Sequence, residues 1–313
     1  MPRTYDRDVA IVSWSSFETP SEPARNEVEM LLPVLQDALG RVGMTQRDIG
    51  FTVSGSSDYL QGFPFAFVGA LDAVGPWPPI RESHLEMDGA FALYEAVEVL
   101  QHGDCDTALV YAFARPSRGE LDRTLAIQLD PYAVAPLWPD ARSLAGLQAQ
   151  AMRDSGRYAD VPDVPPTVVA DGATALVLAV GDRARELTET PVWIRGIDHR
   201  IEPAALGVRD LTRSTSTETA ARAVGVGAVD AAWLHTPYPH QALLLSDALG
   251  LAGASVDAKA GPMMVGGLER FAAAAAAMSA GKARRAVVHA TSGACLQQNL
   301  VGLLEAAATE VAA

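Results

Sequence analysis

The sequence predicts an α/β protein made of two duplicated halves, and three observations support this prediction. Residues 89–112 and 267–290 align at a constant offset, with glycines and alanines recurring at matching positions. Each copy reads as a tight turn, a helix of about four turns, a glycine at the helix end and a short buried strand. Helical and strand-like segments also alternate along the chain, which is typical of stacked α/β layers.

The spacing of apolar residues predicts the remaining elements in order. Helices are predicted at 22–42 (from Ser21 or Glu22), 65–74, 143–155, 215–224, 241–249 and 296–308, in addition to the two repeat helices. Strands are predicted at 9–12, 49–54, 191–197, 231–235 and 286–290, with a hairpin over 167–180 that turns at 171–173 and a Pro-rich turn at 76–79. We assign 1–185 to the N-terminal half and 186–313 to the C-terminal half. The loop region 116–166 is expected to pack over the body, where it would shape a pocket or a subunit contact.

Composition excludes several classes of protein. The net charge of −14 argues against nucleic acid and against an anionic membrane surface as partners. No apolar run approaches the length of a membrane span, and the first eight residues have no apolar signal core, so a cytoplasmic location is expected. Cys105 and Cys295 are the two cysteines; they lack CxxC spacing and fit a reducing compartment.

Several motifs resemble the thiolase superfamily. They are His235-Thr236-Pro237-Tyr238 before an amphipathic helix, the glycine-rich segment 261–267, and signatures at 83–90 and at 291–293 with 297–299. The closest similarity is to the actinobacterial lipid-transfer-protein branch, the SCP-x thiolase-like proteins of steroid side-chain degradation. The resemblance covers essentially the whole chain and implies a thiolase-like five-layer αβαβα fold with the two repeat helices side by side at its centre.

The resemblance also indicates which chemical groups are replaced. It places Glu86 where a working thiolase has its nucleophilic cysteine, and Asp88 where it has the following serine. The Gly-His-Pro base corresponds to 260–262, which has no histidine, and Cys295 lies several residues beyond the position of the third element. The histidine that binds the thioester oxyanion in thiolases falls on His235. Acyl-enzyme Claisen or thiolytic chemistry is therefore not expected.

The candidate catalytic residues are His235, Asp88 and Glu86, and each has a structural alternative. Asp88 is either a general base or an N-cap for the helix that begins at Gly89. Glu86 is either an acid/base group in a dry cleft or a paired structural carboxylate. His235 ends a predicted buried strand, where it can project into a cleft or serve only packing.

The candidate substrate-binding residues are Tyr238, His240, Ser292 and Gly293. Tyr238 and His240 offer hydrogen-bond donors, although the same loop is equally good turn chemistry. The spacing of His235 and His240 is not that of metal ligands, and no carboxylate cluster joins them in the sequence, so neither metal nor cofactor is expected. The expected ligand is a coenzyme A thioester.

Three functions are compatible with the sequence. The branch implies retro-aldol cleavage of a β-hydroxyacyl thioester, although its aldolases carry tyrosines at the His235 and Gly-His-Pro positions. The second function is that of a non-catalytic subunit that pairs with another thiolase-like chain or with a small OB-fold partner of the DUF35 type. The third is lipid carriage. Thiolases dimerise through the strand before the nucleophile turn, here 81–86, so a homodimer or heterodimer is expected.

Overall fold

The computed structural model describes residues 6–20, 25–61, 65–75 and 81–307. The strands are β1 Val9–Pro20, β2 Phe51–Gly55, β3 Glu82–Leu85, β4 Thr107–Ala114, β5 Ala170–Val180, β6 Val192–Ile201, β7 Ala231–His235, β8 Ser255–Lys259, β9 Arg285–Ser292 and β10 Gln298–Ala306. The helices are α1 Glu27–Gly40, α2 Asp58–Gln61, α3 Leu71–Val74, α4 Gly89–His102, α5 Leu121–Ile127, α6 Ala141–Asp154, α7 Gly181–Leu187, α8 Thr215–Val224, α9 His240–Leu249 and α10 Gly266–Ser279. Short 3-10 helices lie at 46–48, 66–70, 116–118, 135–137 and 206–208.

The strand order of the sheet shows the duplication. Its strand order is β3-β2-β4-β5-β1-β6-β10-β9-β7-β8, so the second five strands repeat the order of the first five in reverse across the centre. The two halves meet where Val9–Ile11 of β1 pairs with Val192–Ile194 of β6. In each half the two outermost strand pairs are parallel and the inner pairs are antiparallel.

Alternation along the strands builds five layers. In β4, Ala108, Val110 and Ala112 face a central core with α4 and α10, whereas Leu109 and Phe113 face an outer core under α1 and α3. The second half behaves in the same way, because β9 and β10 contribute to the central core with one face and pack on α8 and α9 with the other. The predicted five-layer arrangement with both repeat helices at its centre is confirmed.

Matching glycines allow the two central helices to begin close to their own sheets. A Cβ at Gly89 would lie 2.5 Å from the Cβ of Ala112, and a Cβ at Gly267 would lie 2.7 Å from the Cβ of Ala290. These are equivalent pairs in the repeat. Real Cβ atoms do not approach so closely, and the glycines therefore set the depth at which α4 and α10 enter the core.

The predicted C-terminal helix at 296–308 is wrong. Residues 298–306 form strand β10, which lies between β9 and β6 and pairs with both. Leu300, Val301 and Leu304 are fully buried in it. The local sequence favours a helix, but a strand that fills the gap between two neighbours satisfies its backbone groups on both sides and buries both faces.

The predicted hairpin over 167–180 is also wrong, because residues 170–180 form the single strand β5 between β1 and β4. Gly172, placed at the turn by the sequence, serves close packing instead. A Cβ there would lie 2.8 Å from Pro262 Cγ and 2.9 Å from the carbonyl oxygen of Phe17. Strand β8, at 255–259, was not predicted.

Other predictions depend on what the structure describes. Helix α1 begins at Glu27, where Asn26 and Glu29 form a capping box; its predicted start at Ser21 or Glu22, the turn at 76–79 and residues 1–5 lie outside the described residues. The loop region 116–166 contains α5 and α6. Among the described residues, no helix combines the length and apolar character needed to cross a membrane.

Candidate active site

A cleft of about 170 Å³ opens where the two central helices begin. One wall is apolar and comes largely from the loop region 116–166. The other wall holds polar side chains from the ends of the strands and from the loop after β9. The polar side includes Asp88, His235, Tyr238, Met264, Ser292, Gly293 and Cys295. The apolar side includes Leu121, Leu125, Leu129 and Leu144.

Asp88 joins the starts of both central helices. Its Oδ1 accepts the N–H of Ala90 in α4 at 2.8 Å and the N–H of Leu268 in α10 at 3.1 Å, and its Oδ2 accepts the N–H of Gly267 at 2.9 Å. Helix α10 has no capping side chain of its own at Val265. Burial outweighs these hydrogen bonds and raises the pKa of Asp88 to about 6. Asp88 is thus an N-cap, and it also faces the cleft.

His235 lies at the end of β7 and is buried, 6 % exposed. Its Nδ1 is shielded from solvent and has no hydrogen-bond partner among the described residues. Burial, helped by the charge of Arg270, lowers the pKa of His235 to about 4, so the imidazole is neutral at neutral pH. A Cβ at Gly266 would lie 2.8 Å from His235 Nε2, so glycine at this position leaves room for the ring.

Consecutive glycines at the start of α10 therefore face the two polar groups. Gly266 faces His235, and Gly267 faces Asp88. Met264, two residues before Gly266, also lines the cleft and has φ of 65°, a left-handed conformation that costs energy for a side chain of this size. The sequence pointed to the glycine-rich segment, but it did not indicate that each glycine accommodates a different side chain.

A buried hydrogen-bond network supports the wall after β9. His289 Nε2 lies 2.8 Å from Asn299 Oδ1, and Asn299 Nδ2 donates to Ser216 Oγ at 2.7 Å. Ser216 in turn donates to Glu202, which pairs with Arg209. His289 was not predicted as a site residue; it is a buried titratable group whose pKa burial lowers to about 4.

The network ends on the loop that lines the cleft. Arg209 donates to the carbonyl oxygens of Ala294 at 3.2 Å and Cys295 at 2.6 Å. Cys295 and Leu296 both have positive φ, at 53° and 59°. Two non-glycine residues in this conformation need support from their surroundings, and the arginine supplies it.

The predicted substrate-binding residues divide into two groups. Tyr238, Ser292 and Gly293 line the cleft, and the Tyr238 hydroxyl lies 2.9 Å from Thr167 Oγ1. His240 does not line the cleft; it is fully buried, with Nε2 3.1 Å from Gln148 Oε1. Burial lowers the pKa of His240 to about 4. Their roles in binding remain predictions.

Glu86 does not line the cleft either. It follows β3, its Oε1 accepts the N–H of Asp58 at 2.6 Å, and its side chain is 40 % exposed. The turn thus directs Asp88 toward the cleft and Glu86 away from it. The catalytic assignments of Glu86, Asp88 and His235 remain predictions, but only Asp88 and His235 are brought to one cleft.

Neither cysteine has the environment of a nucleophile. Cys295 lines the cleft, but its Sγ donates to the carbonyl oxygen of Leu144 at 3.3 Å, and burial raises the pKa of its thiol to about 11. Burial also raises the pKa of Cys105, which lies just before β4. A reactive cysteine has its pKa lowered by a cation or by a helix N-terminus.

Comparison with known proteins identifies the architecture. No protein-family model matches the chain, and no curated protein matches it in sequence. Many solved structures are similar in fold, and three of them represent the similarity. A monomeric SCP2-thiolase-like protein type 1 from Mycobacterium smegmatis has a TM-score of 0.68 and 18 % identity, with 95 % of this chain and 76 % of that chain covered.

Human mitochondrial 3-ketoacyl-CoA thiolase in complex with CoA has a TM-score of 0.71 and 14 % identity, with 98 % of this chain and all of that chain covered. A structure described as the Ltp2–ChsH2(DUF35) aldolase has a TM-score of 0.70 and 14 % identity, with 96 % of this chain and 98 % of that chain covered. At these identities the comparison concerns the fold alone, and it confirms the thiolase-like fold predicted from the sequence. The chain has a thiolase-like fold.

Proposed function

We propose that this protein binds an acyl thioester in the cleft and takes part, within a heteromeric complex, in retro-aldol cleavage rather than in Claisen or thiolytic chemistry. The observation that carries the proposal is that a neutral imidazole, His235, and a buried carboxylate, Asp88, line one cleft whose thiol has a raised pKa. Proton transfer is available in such a site, whereas nucleophilic attack by sulfur is not.

The reaction needs a base and a donor. The base takes the proton of the β-hydroxyl, the Cα–Cβ bond breaks, and its electron pair passes to the thioester as an enolate. Protonation of the α-carbon then gives a shortened acyl thioester and a carbonyl compound. Asp88 Oδ2 accepts a single backbone N–H and retains a lone pair for the hydroxyl proton, and His235 would donate to the enolate oxygen.

The cleft also supports a partner and an apolar acyl group. Its volume of about 170 Å³ is below the roughly 300–1,000 Å³ of complete small-molecule sites, so a second chain would complete the binding site. The leucine wall favours an apolar acyl group, for which a steroid acyl-CoA is our candidate. We further propose a cytoplasmic protein that requires no additional cofactor for this step and has no membrane or nucleic-acid partner.

Turnover by the assembled complex tests the proposal. His235→Ala should reduce turnover by about 10²–10⁴-fold, the usual contribution of an acid/base group, while leaving the complex intact by native mass spectrometry. His102→Ala, at an exposed position at the end of α4, is the matched control. Intact-mass analysis after incubation with acyl-CoA should detect no covalent acyl group on Cys105 or Cys295.

A non-catalytic subunit is the second candidate, and the geometry of Asp88 favours it. All three hydrogen bonds of its carboxylate hold helix ends, which is a sufficient structural reason for a buried carboxylate. If His235→Ala and Asp88→Asn complexes both keep full turnover, the chain is a scaffold for a catalytic partner.

Assembly would use the edge strand β3. It ends the strand order and pairs with β2 on one side, and among the described residues no strand pairs with its other edge, where a strand from a second chain could add. We propose a homodimer or a heterodimer with a thiolase-like subunit through Glu82–Leu85, and a small OB-fold (DUF35-type) protein as a further partner. Proline at the exposed Glu82 should shift the dimer to monomer in light scattering, because it removes an N–H from the edge.

A further inference from the structure

We propose that Asp58, His84 and Glu86 bind a divalent transition-metal ion of the zinc class at a site separate from the cleft. The proposal does not depend on the proposed function. One potential ligand atom from each residue lies within 4.8 Å of the other two. An imidazole nitrogen with two carboxylate oxygens is a donor set that suits Zn²⁺ and similar ions better than Mg²⁺, which prefers oxygen alone.

The fold brings these residues together from separate segments. Strands β2 and β3 are parallel, with Ser54 opposite His84, so both strands end at the same edge of the sheet. Asp58 begins α2 shortly after β2, and Glu86 is the first residue after β3. Sites at the carboxyl ends of parallel strands are common in α/β proteins because loops converge there.

His84 is held in an orientation suited to a ligand. Its Nδ1 lies 2.8 Å from Ser54 Oγ, and its ring stacks on Phe67 at 4.9 Å between centroids. Its Nε2 is shielded from solvent and has no hydrogen-bond partner among the described residues. A buried nitrogen without a partner is costly, and metal-binding histidines characteristically have their other nitrogen fixed by a hydrogen bond.

The distance between His84 and Glu86 is close to the separation that two metal ligands require. His84 Nε2 lies 3.7 Å from Glu86 Oε2. Ligands at about 2.0–2.2 Å from a tetrahedral ion are separated by roughly 3.3–3.6 Å, so a small contraction completes this pair.

Both carboxylates are positioned by the backbone and keep capacity for an ion. Asp58 accepts the N–H groups of Phe65 at 2.9 Å and Ala66 at 2.7 Å, one on each oxygen. Glu86 uses Oε1 for the N–H of Asp58, which leaves Oε2 toward His84. A dication would balance the charge of the two carboxylates and link α2 and the segment from residue 65 to the edge strand β3.

Calorimetric titration of the chelator-treated full chain with Zn²⁺ tests the site. We expect one ion per chain, a rise in the melting temperature with Zn²⁺, and at least tenfold weaker binding for Glu86→Gln and for His84→Ala. Glu86→Gln is the sharper variant because the amide oxygen can still accept the N–H of Asp58. Mg²⁺ should bind more weakly than Zn²⁺.

His102→Ala is the matched control, because His102 Nδ1 lies 3.5 Å from Asp104 Oδ2 in an exposed pair that has no third ligand in the part of the chain that the structure describes. It should bind Zn²⁺ like the unmodified protein. Absence of stoichiometric binding would overturn the proposal. Equal affinity in Glu86→Gln and the unmodified chain, or loss of binding in His102→Ala alone, would overturn it as well.

Discussion

The ends of β2 and β7 are equivalent positions in the two halves, yet they carry different chemistry. Gly55 ends β2 and lies opposite Ala112 of β4. His235 ends β7, one residue beyond the Leu234–His289 pair. The repeat makes His235 the equivalent of Gly55. A Cβ at Gly55 would lie 2.7 Å from Gly89 Cα, so this strand end packs directly on the start of α4.

The turns before the central helices show the opposite arrangement. The N-terminal turn carries Asp88, whereas the equivalent position in the C-terminal turn is Gly266, which leaves room for His235. Each half therefore has one titratable side chain and one glycine at these two positions. In the N-terminal half the titratable residue lies in the turn, and in the C-terminal half it lies at the strand end. The duplicated backbone was retained while the roles were divided, and a carboxylate from one half and an imidazole from the other face one cleft.

The largest expected effect is on the pH dependence of stability, to which the buried histidines of the C-terminal half and Asp88 of the N-terminal half should contribute with opposite signs. The pKa values of His235 and His289 are lowered from 6.5 to about 4 by burial, so the unfolded chain binds more protons than the folded chain between those values. The free energy of unfolding should fall by roughly 3 kcal/mol per histidine as the pH drops from 6.5 to 4. Denaturant titrations across this range measure it, and His289→Gln should reduce the slope.

Asp88 should act in the opposite direction. Its pKa is raised from 3.8 to about 6, so its contribution to stability is fully present below pH 3.8 and is lost as the pH rises through 6. Asp88→Asn should therefore steepen the loss of stability on acidification. His102→Gln, at an exposed position, serves as the control for both variants. If stability depended on pH in His289→Gln as it does in the unmodified protein, the lowered pKa assigned to His289 would be contradicted.

Truncation of Asp88 should cost more than truncation of an ordinary helix cap. Asp88→Ala leaves three backbone N–H groups of two helices without their acceptor, and we expect a loss of about 3 kcal/mol in chemical denaturation. Asp140→Ala removes the exposed cap of α6, which accepts from Ser143 in that helix alone, and should cost about 1 kcal/mol. Equal losses would show that Asp88 does not join the two helices.

Gly266→Ala should destabilise the protein by less than Asp88→Ala does. The new methyl group would lie 2.6 Å from the carbonyl oxygen of Ala260 and 2.8 Å from His235 Nε2, so the protein should lose about 2 kcal/mol and the ring should shift. Gly146→Ala in α6 meets nothing within 4 Å and should stabilise by up to about 1 kcal/mol. Thermal unfolding of both variants checks the contrast.

Sequence periodicity located elements that form locally and missed those that depend on neighbours. Helix α8 and strand β7 have the bounds that their apolar spacing predicts, and both repeat helices are where the duplication places them. Strand β8 was not predicted, and strand β10 was predicted as a helix. Extending the repeat would have indicated both, because β3 and β5 occupy the equivalent places in the first half.

The sequence by itself determined the duplicated α/β architecture and the residue types at the helix starts. Local spacing and glycine positions carry that information, because they act over a few residues of chain. Tertiary structure alone decided that Asp88 caps both central helices, that Glu86 turns away from the cleft toward Asp58 and His84, and that residues 298–306 pair as a strand. Each depends on which distant backbone groups lie within hydrogen-bonding distance, and no short-range pattern encodes that distance.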